Sequence, residues 1–273
     1  MSYLDDIYGL GGKTALVTGG GSGIGTMIAT ALVQAGAHVM LASRKGERCA
    51  AVAEALNALD APGSAEGFAG DVGSEDSILA LVDAVRSRKE KLDILFNNAG
   101  VSWGAPMADF PHAQWERVMG INVAGMFTLT RELLPLLEAS ASDADPARVV
   151  NIGSVMGTVP VAEGAYAYTA SKAAVHHLTK TLANEFAARR ITVNAFAPGP
   201  FPSKMTAFAT GSDEGAAKVG ANVPLGRIGN EADIAAATLY LCGKGGSYMT
   251  GAILPIDGGM SAENHIHLFS NLD

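Results

Sequence analysis

The sequence predicts an α/β fold, a parallel sheet sandwiched between helices. Three observations carry that prediction. Short runs rich in Val, Ile and Leu alternate with longer segments of helical period, the runs are apolar nearly throughout, and a glycine cluster directly follows the first of them. Continuous apolar runs imply strands buried on both faces. Their alternation with helices implies right-handed crossovers and hence parallel pairing.

The strands are read in order as "TALVTG", "HVMLAS", "EGFAGD", "DILFNNAG", "RVVNIGS", "TVNAFAPG" and "GAILPIDGG". Helical periodicity is read at 24–35, 46–59, 75–89, 112–139, 165–189 and 231–242. Thr14 to Ser43 contains no Asp, Glu, Lys or Arg, which raises the question of a membrane span. Its glycine cluster splits it into a strand and a helix, so no apolar segment reaches the ~20 residues a span needs.

At 273 residues, with 48% apolar residues and 33 glycines, the chain can bury a large core as one domain over 1–273, with 261–273 as a C-terminal tail. "NALDAPGSAEG" and "SASDADPA" are too short to separate domains and read as surface connections. A net charge of −8, without basic runs, argues against nucleic acid or an anionic membrane as partner. Cys49 and Cys242 lack metal-ligand spacing, so no metal is expected and a reducing compartment is. The acidic opening "MSYLDDIYGLGGK" lacks the pattern of a signal peptide, and the expectation is a cytoplasmic protein.

Ligands of such sheets bind outside the carboxyl ends of the strands, where the suggestive residues fall. "TGGGSGIG" spaces Gly19, Gly23 and Gly25 as GxxxGxG, with Ser22 inside the turn and a helix opening near Ile24. Glycine allows a tight turn and close approach of phosphate, and the helix offers free amides to a pyrophosphate. No placement of GxGxxG fits here, and the alternative is a flexible loop without a ligand.

The second strand ends in Ser43 and Arg44, where an NAD site would usually carry a carboxylate for the ribose. Arg favours a 2′-phosphate through charge-assisted hydrogen bonds, so NADP(H) is preferred and NAD(H) is second. Arg44 and Lys45 as solvated charges remain the alternative. Asp71, followed by Val72, suits an adenine amino group or a helix cap. Asn98, Ala99 and Gly100 end the fourth strand, where small residues let a dinucleotide lie against the chain.

In "AYAYTASKAA", helical spacing puts Tyr168 and Lys172 on one face and turns Tyr166 elsewhere. With Ser154 at the end of the fifth strand, the group suits carbonyl reduction, in which hydride comes from nicotinamide and a proton reaches the alkoxide. Tyrosine titrates near pKa ~10, so an adjacent ammonium and an oxidised nicotinamide together are required to favour the phenolate, and Lys172 fits the ammonium's part. His176 and His177 read as packing or subunit contacts. Asn122 interrupts a helical segment.

Taken in order, "TGGGSGIG", Asp71, "NNAG", "NVAG", Ser154, "YTASK" and "APG" resemble the short-chain dehydrogenase/reductase family from about residue 11 to 260. The resemblance implies a three-layer, doubly wound Rossmann-like domain with seven parallel strands, and a homotetramer or homodimer. It implies that Ser154 polarises the carbonyl, Tyr168 is acid and base, Lys172 lowers its pKa and holds ribose, and Asn122 supports a water-linked relay. Pro198 and Gly199 are carried over as cofactor contacts. The motifs look most like the β-ketoacyl-reductase-like branch, with Trp103, Met156, Phe201 and Met205 expected around an apolar substrate. The tail "SAENHIHLFSNLD" departs from that pattern. An NAD-linked dehydrogenase of a steroid, polyol or cyclic alcohol is the second expectation, and a non-catalytic nucleotide-binding protein the third.

Overall fold

The computed structural model describes residues 2–160 and 164–262. In chain order its elements are α1 (Tyr3–Tyr8), β1 (Thr14–Thr18), α2 (Ile24–Gln34), β2 (His38–Ser43), α3 (Gly46–Asn57), β3 (Ser64–Ala69), α4 (Glu75–Arg86) and β4 (Ile94–Asn97). There follow α5 (His112–Met119), α6 (Met126–Ser140), β5 (Ala147–Ile152), α7 (Tyr166–Phe186), β6 (Ile191–Pro198), α8 (Ala207–Thr210), α9 (Asp213–Gly220), α10 (Glu231–Cys242) and β7 (Ile253–Ile256). All seven strands pair in parallel, in the order β3-β2-β1-β4-β5-β6-β7.

Strand geometry explains the layers. Successive side chains point to opposite faces, so Ala15 and Val17 of β1 join a core with α2, α3 and α10. Leu16 faces the other way, into a core built with α4, α6 and α7. Both faces are covered, which is why the strands read as unbroken apolar runs. The order reverses between β1 and β4, and this switch point opens a crevice at the carboxyl ends of the strands.

A polar ladder crosses the second core beneath that crevice. Asn97 Nδ2 donates to Thr130 Oγ1 and to Asn151 Oδ1, both at 2.9 Å, and Asn151 Nδ2 donates to Thr179 Oγ1 at 3.0 Å. Buried amides must find partners, so the ladder fixes β4, β5, α6 and α7 in one register.

Several expected boundaries move. The segment expected as one helix at 112–139 is two, α5 and α6, joined by a π-helical turn at Gly120–Gly125 that contains Asn122. The third strand begins earlier than "EGFAGD", at Ser64, because Ser64 to Ala69 pair residue by residue with His38 to Ser43. Helices α1, α8 and α9 were not expected. Met260–Ala262 form a short 3-10 turn, and the rest of the expected tail lies outside the described residues. Among the described residues, no helix is long and apolar enough to cross a membrane.

Candidate active site

The crevice begins at Thr18, the last residue of β1. Its hydroxyl accepts from Asn98 N and Ala99 N, each at 3.0 Å, and donates to Phe96 O at 3.2 Å. Asn98 reaches back through Nδ2 to Thr18 O at 2.8 Å and Gly19 O at 3.2 Å. The glycine turn and the "NNAG" segment are thereby tied together. A Cβ at Gly25 would stand 2.5 Å from Gly19 O and 2.6 Å from Asn98 Nδ2, so only glycine fits there. Gly23 has φ 58°, in the left-handed region, and precedes α2. No side chain among the described residues caps α2, so amides of its first turn stay available to an anion.

The opposite wall comes from β5 and α7. Ser154 follows β5, is 6% exposed, and accepts from Met156 N at 3.2 Å through its own hydroxyl. Tyr168 and Lys172 lie one helical turn apart on α7, with Lys172 Nζ 5.5 Å from the Tyr168 ring centre. Lys172 is 5% exposed and donates to Ile152 O at 2.6 Å. Tyr166 instead packs edge-on against Phe110, with ring centres 5.5 Å apart.

Asn122 stands behind this wall as a brace. Its Oδ1 accepts from Val101 N at 2.8 Å, and its Nδ2 donates to Val101 O at 2.9 Å and Ser171 Oγ at 3.0 Å. Ser171 in turn donates to Tyr168 O at 2.7 Å. A Cβ on Gly100 would lie 3.2 Å from Asn122 Oδ1 and 3.7 Å from Lys172 Nζ. Small size at Gly100 therefore lets the brace and the ammonium approach each other.

Burial dominates the electrostatics of this pair. Burial raises the Tyr168 phenol above its ordinary value, and a hydrogen bond from Ser154 offsets part of the rise. Lys172 is pushed down to about 8 by burial, its ammonium having lost most of its water. In the protein alone desolvation dominates the phenol, and the expectation of a favoured phenolate concerns the complex with oxidised nicotinamide.

Two adjoining cavities, of about 520 and 160 Å³, fill the crevice. The larger is lined by Ser22, Ile24, Ser154, Tyr168, Lys172, Pro198 and Gly199, among others. The smaller reaches Ser43, Asp71 and Val72, and Arg44 borders both. Each cofactor residue read from the sequence borders one or the other, except Gly25, which is buried beneath the turn. Asp71 accepts from Gly73 N at 3.1 Å, and Ser74 rather than Asp71 caps α4.

Phe201 and Met205 border the larger cavity, whereas Trp103 and Met156 do not. Trp103 is 40% exposed on the loop after Gly100, and the contact of Met156 with Ser154 is through its backbone. Two exposed cations that the sequence reading missed, Arg117 of α5 and Lys204 after β6, also border this cavity. Lys204 lies between Phe201 and Met205 in the loop "PFPSKMTAF" from which the sequence leads one to expect substrate contacts, whereas Arg117 sits in no motif and only the packing of α5 brings it there. Among the described residues no group of His, Cys, Asp and Glu could hold a metal ion.

Residues 19–261 match the family model described as Enoyl-(Acyl carrier protein) reductase, and the chain belongs to the short-chain dehydrogenase/reductase family of oxidoreductases. Over 252 residues it is 45% identical to the rhamnolipids biosynthesis 3-oxoacyl-(acyl-carrier-protein) reductase of Pseudomonas aeruginosa, covering 92% of this chain and 97% of that one. Galactitol 2-dehydrogenase (L-tagatose-forming) of Cereibacter sphaeroides is 37% identical over 262 residues, 93% and 96% of the two chains. Among solved structures, the RhlG/NADP active-site complex of Pseudomonas aeruginosa superposes with a TM-score of 0.90 at 44% identity, covering 94% of this chain and 99% of that one.

The Thr18 hydroxyl serves two amides at once, so Thr18→Val leaves both without that acceptor. The expected loss is about 2 kcal/mol of stability in urea denaturation, with Thr18→Ser losing well under half as much. Equal losses for Val and Ser would contradict this role.

Proposed function

We propose that the chain is an NADP(H)-preferring oxidoreductase that interconverts a ketone and a secondary alcohol on an apolar or acyl-type substrate, in the manner of a 3-oxoacyl reductase. The observation that carries this reading is the convergence of Ser154, Tyr168 and Lys172 on one wall of a cleft whose other wall is an uncapped glycine turn. The two Pseudomonas matches, one named for 3-oxoacyl reduction and one described with NADP, support the substrate class and the nucleotide.

The residues present fit a phosphorylated dinucleotide. Gly19 has φ 65°, and a Cβ there would stand 2.9 Å from Asn98 Nδ2, so the turn keeps a bare backbone against which phosphate can lie. Arg44 is exposed at the cavity edge and makes no ion pair among the described residues, which leaves its guanidinium for a 2′-phosphate. When bound, NADPH supplies the hydride that reduces the carbonyl carbon.

The protein handles the oxygen. Ser154 donates a hydrogen bond to the carbonyl oxygen, and Tyr168 gives its proton to the alkoxide that develops there. A phenol raised by burial is protonated at neutral pH, the form that reduction needs. The Lys172 ammonium then stabilises the phenolate left behind and holds ribose hydroxyls, while Asn122 fixes the Val101 segment and supports a water-linked relay to Lys172. Phe201 and Met205 supply apolar surface for the substrate; Trp103 and Met156 serve it only by movement of their loops.

The same reading takes residues 1–273 as one domain, ending in the 261–273 tail, that works in the cytoplasm as a homotetramer or homodimer on a small molecule. An NAD-linked polyol dehydrogenase is the second reading, favoured by the likeness to galactitol 2-dehydrogenase. The apolar lining from Phe201 and Met205 favours the first.

Tyr168→Phe should lower kcat for a 3-oxoacyl thioester by at least ~10²-fold, while Tyr166→Phe stays within about threefold. Comparable rates for the two variants, read by NADPH absorbance, would sink the assignment. Arg44→Ala should weaken NADPH binding about tenfold or more in a fluorescence titration and leave NADH nearly unchanged. Equal losses for both nucleotides would remove the charge argument.

A further inference from the structure

Helix α7 carries an imidazole that the mechanism above does not use. His176 lies four residues beyond Lys172, one turn along the same face, and is 8% exposed. Its ring is wedged against the turn that carries Ser154. Nε2 lies 3.5 Å from Ser154 N, and Nδ1 lies 3.4 Å from Thr158 Oγ1. A Cβ at Gly153 would come within 2.2 Å of Nε2, and one at Gly157 within 2.8 Å of Cε1. At Gly153 the ring takes most of the space a side chain would need, and at Gly157 it shares that space with the Lys172 carbonyl, 2.8 Å from a Cβ.

The contacts fix the state of the ring. An amide N–H can only donate, so Nε2 must present a lone pair, and the proton sits on Nδ1 facing the Thr158 hydroxyl. Only the neutral imidazole satisfies both contacts. Burial, followed by the charges of Lys172 and Lys180 on the same helix, pushes its pKa down to about 4. Beside Ser154 and Thr158, the other packed elements bring Val155, Ala197, Ile253, Pro255 and Ser261 to the cavity that His176 borders, none of them charged. His177, the neighbour on α7, borders the same cavity.

Ser154 has two partners to satisfy. Its Oγ already accepts from Met156 N, which directs its hydroxyl proton to the cleft, where it meets the Tyr168 phenol in the free protein and the carbonyl oxygen once substrate is bound. Where that proton points depends on where the turn sits.

We propose that His176 is a positioning residue for proton transfer: its Nε2 lone pair holds the Ser154 turn against α7 and so aims the Ser154 hydroxyl into the cleft, at the Tyr168 phenol in the free protein and at the carbonyl oxygen when substrate binds. The inference rests on the reading of Tyr168 as the acid, and it extends that reading to a residue that touches neither substrate nor nucleotide. His176→Leu removes the acceptor. His176→Gln places an amide oxygen near the position of Nε2, and His176→Asn is polar but too short to reach it.

The test is the titration of Tyr168, followed by phenolate absorbance in each variant against the same variant carrying Tyr168→Phe. In His176→Leu and His176→Asn the Tyr168 pKa should rise by at least about half a unit, roughly a threefold change in its ionisation constant. His176→Gln should restore most of the wild-type value. With substrate, kcat should fall about tenfold in the Leu and Asn variants with KM little changed, and recover in the Gln variant. A Tyr168 titration unmoved in a folded Leu or Asn variant, or a Gln variant no better than Asn, would overturn the proposal. If Leu does not fold, the comparison of Asn with Gln decides. The titration needs no substrate, so a wild-type protein that reduces no ketone while the titrations behave as expected counts against the functional reading and supports the role of His176.

Discussion

Holding a lysine ammonium out of water, 2.6 Å from a single carbonyl, is the constraint that the rest of this structure answers. A buried charge is expensive unless it is paired or hydrogen-bonded, and Lys172 shows the expense as a pKa of about 8. Such a group persists only where its surroundings are fixed in place. The ladder from Asn97 through Asn151 to Thr179 pins α7 two turns beyond Lys172, and Asn122 pins it from the other side through Ser171. Both braces are amide side chains that leave their own strands or helices to bond across the core. The result is a rigid wall on which Tyr168, Lys172 and Ser154 meet.

Charge distribution follows the same logic on a larger scale. The chain carries −8 overall, yet Arg44, Arg117 and Lys204 all border one cleft. Cations gathered at the cleft of a chain with net negative charge draw anionic ligands toward the site. The uncapped amides of α2 lie within the same cleft, so backbone and side chains act on ligand charge together. Neither source of positive potential requires a carboxylate-lined ribose site, and none is present at Ser43 and Arg44.

How much of this could be read from the chain depends on the range of the signal. Strand identity was legible because burial on both faces leaves an unbroken apolar run, as in Leu16, Val17, Val39, Leu41 and Phe96. The glycine turn was legible because the close approaches at Gly19 and Gly25 leave no alternative residue. Tyr168 was separated from Tyr166 by helical geometry alone. The π-helical turn at Gly120–Gly125 was not legible as such, because it serves contacts of Asn122 with Val101 and Ser171, 21 and 49 residues away. Arg117 was invisible for the same reason, whereas Lys204 lies in the loop that also carries Phe201 and Met205. Spacing reveals the charge beside Tyr168 but not the desolvation that raises the phenol in the protein alone.

The claim that everything turns on a compact buried ammonium beneath Tyr168 is tested most directly by Lys172→Met, which keeps the length and apolar stem of the side chain and deletes only its charge. Reduction of a 3-oxoacyl thioester with saturating NADPH should slow by at least ~10²-fold while thermal unfolding shows an intact and no less stable protein. A methionine variant that reduces the same thioester within about threefold of the wild-type rate would contradict the account.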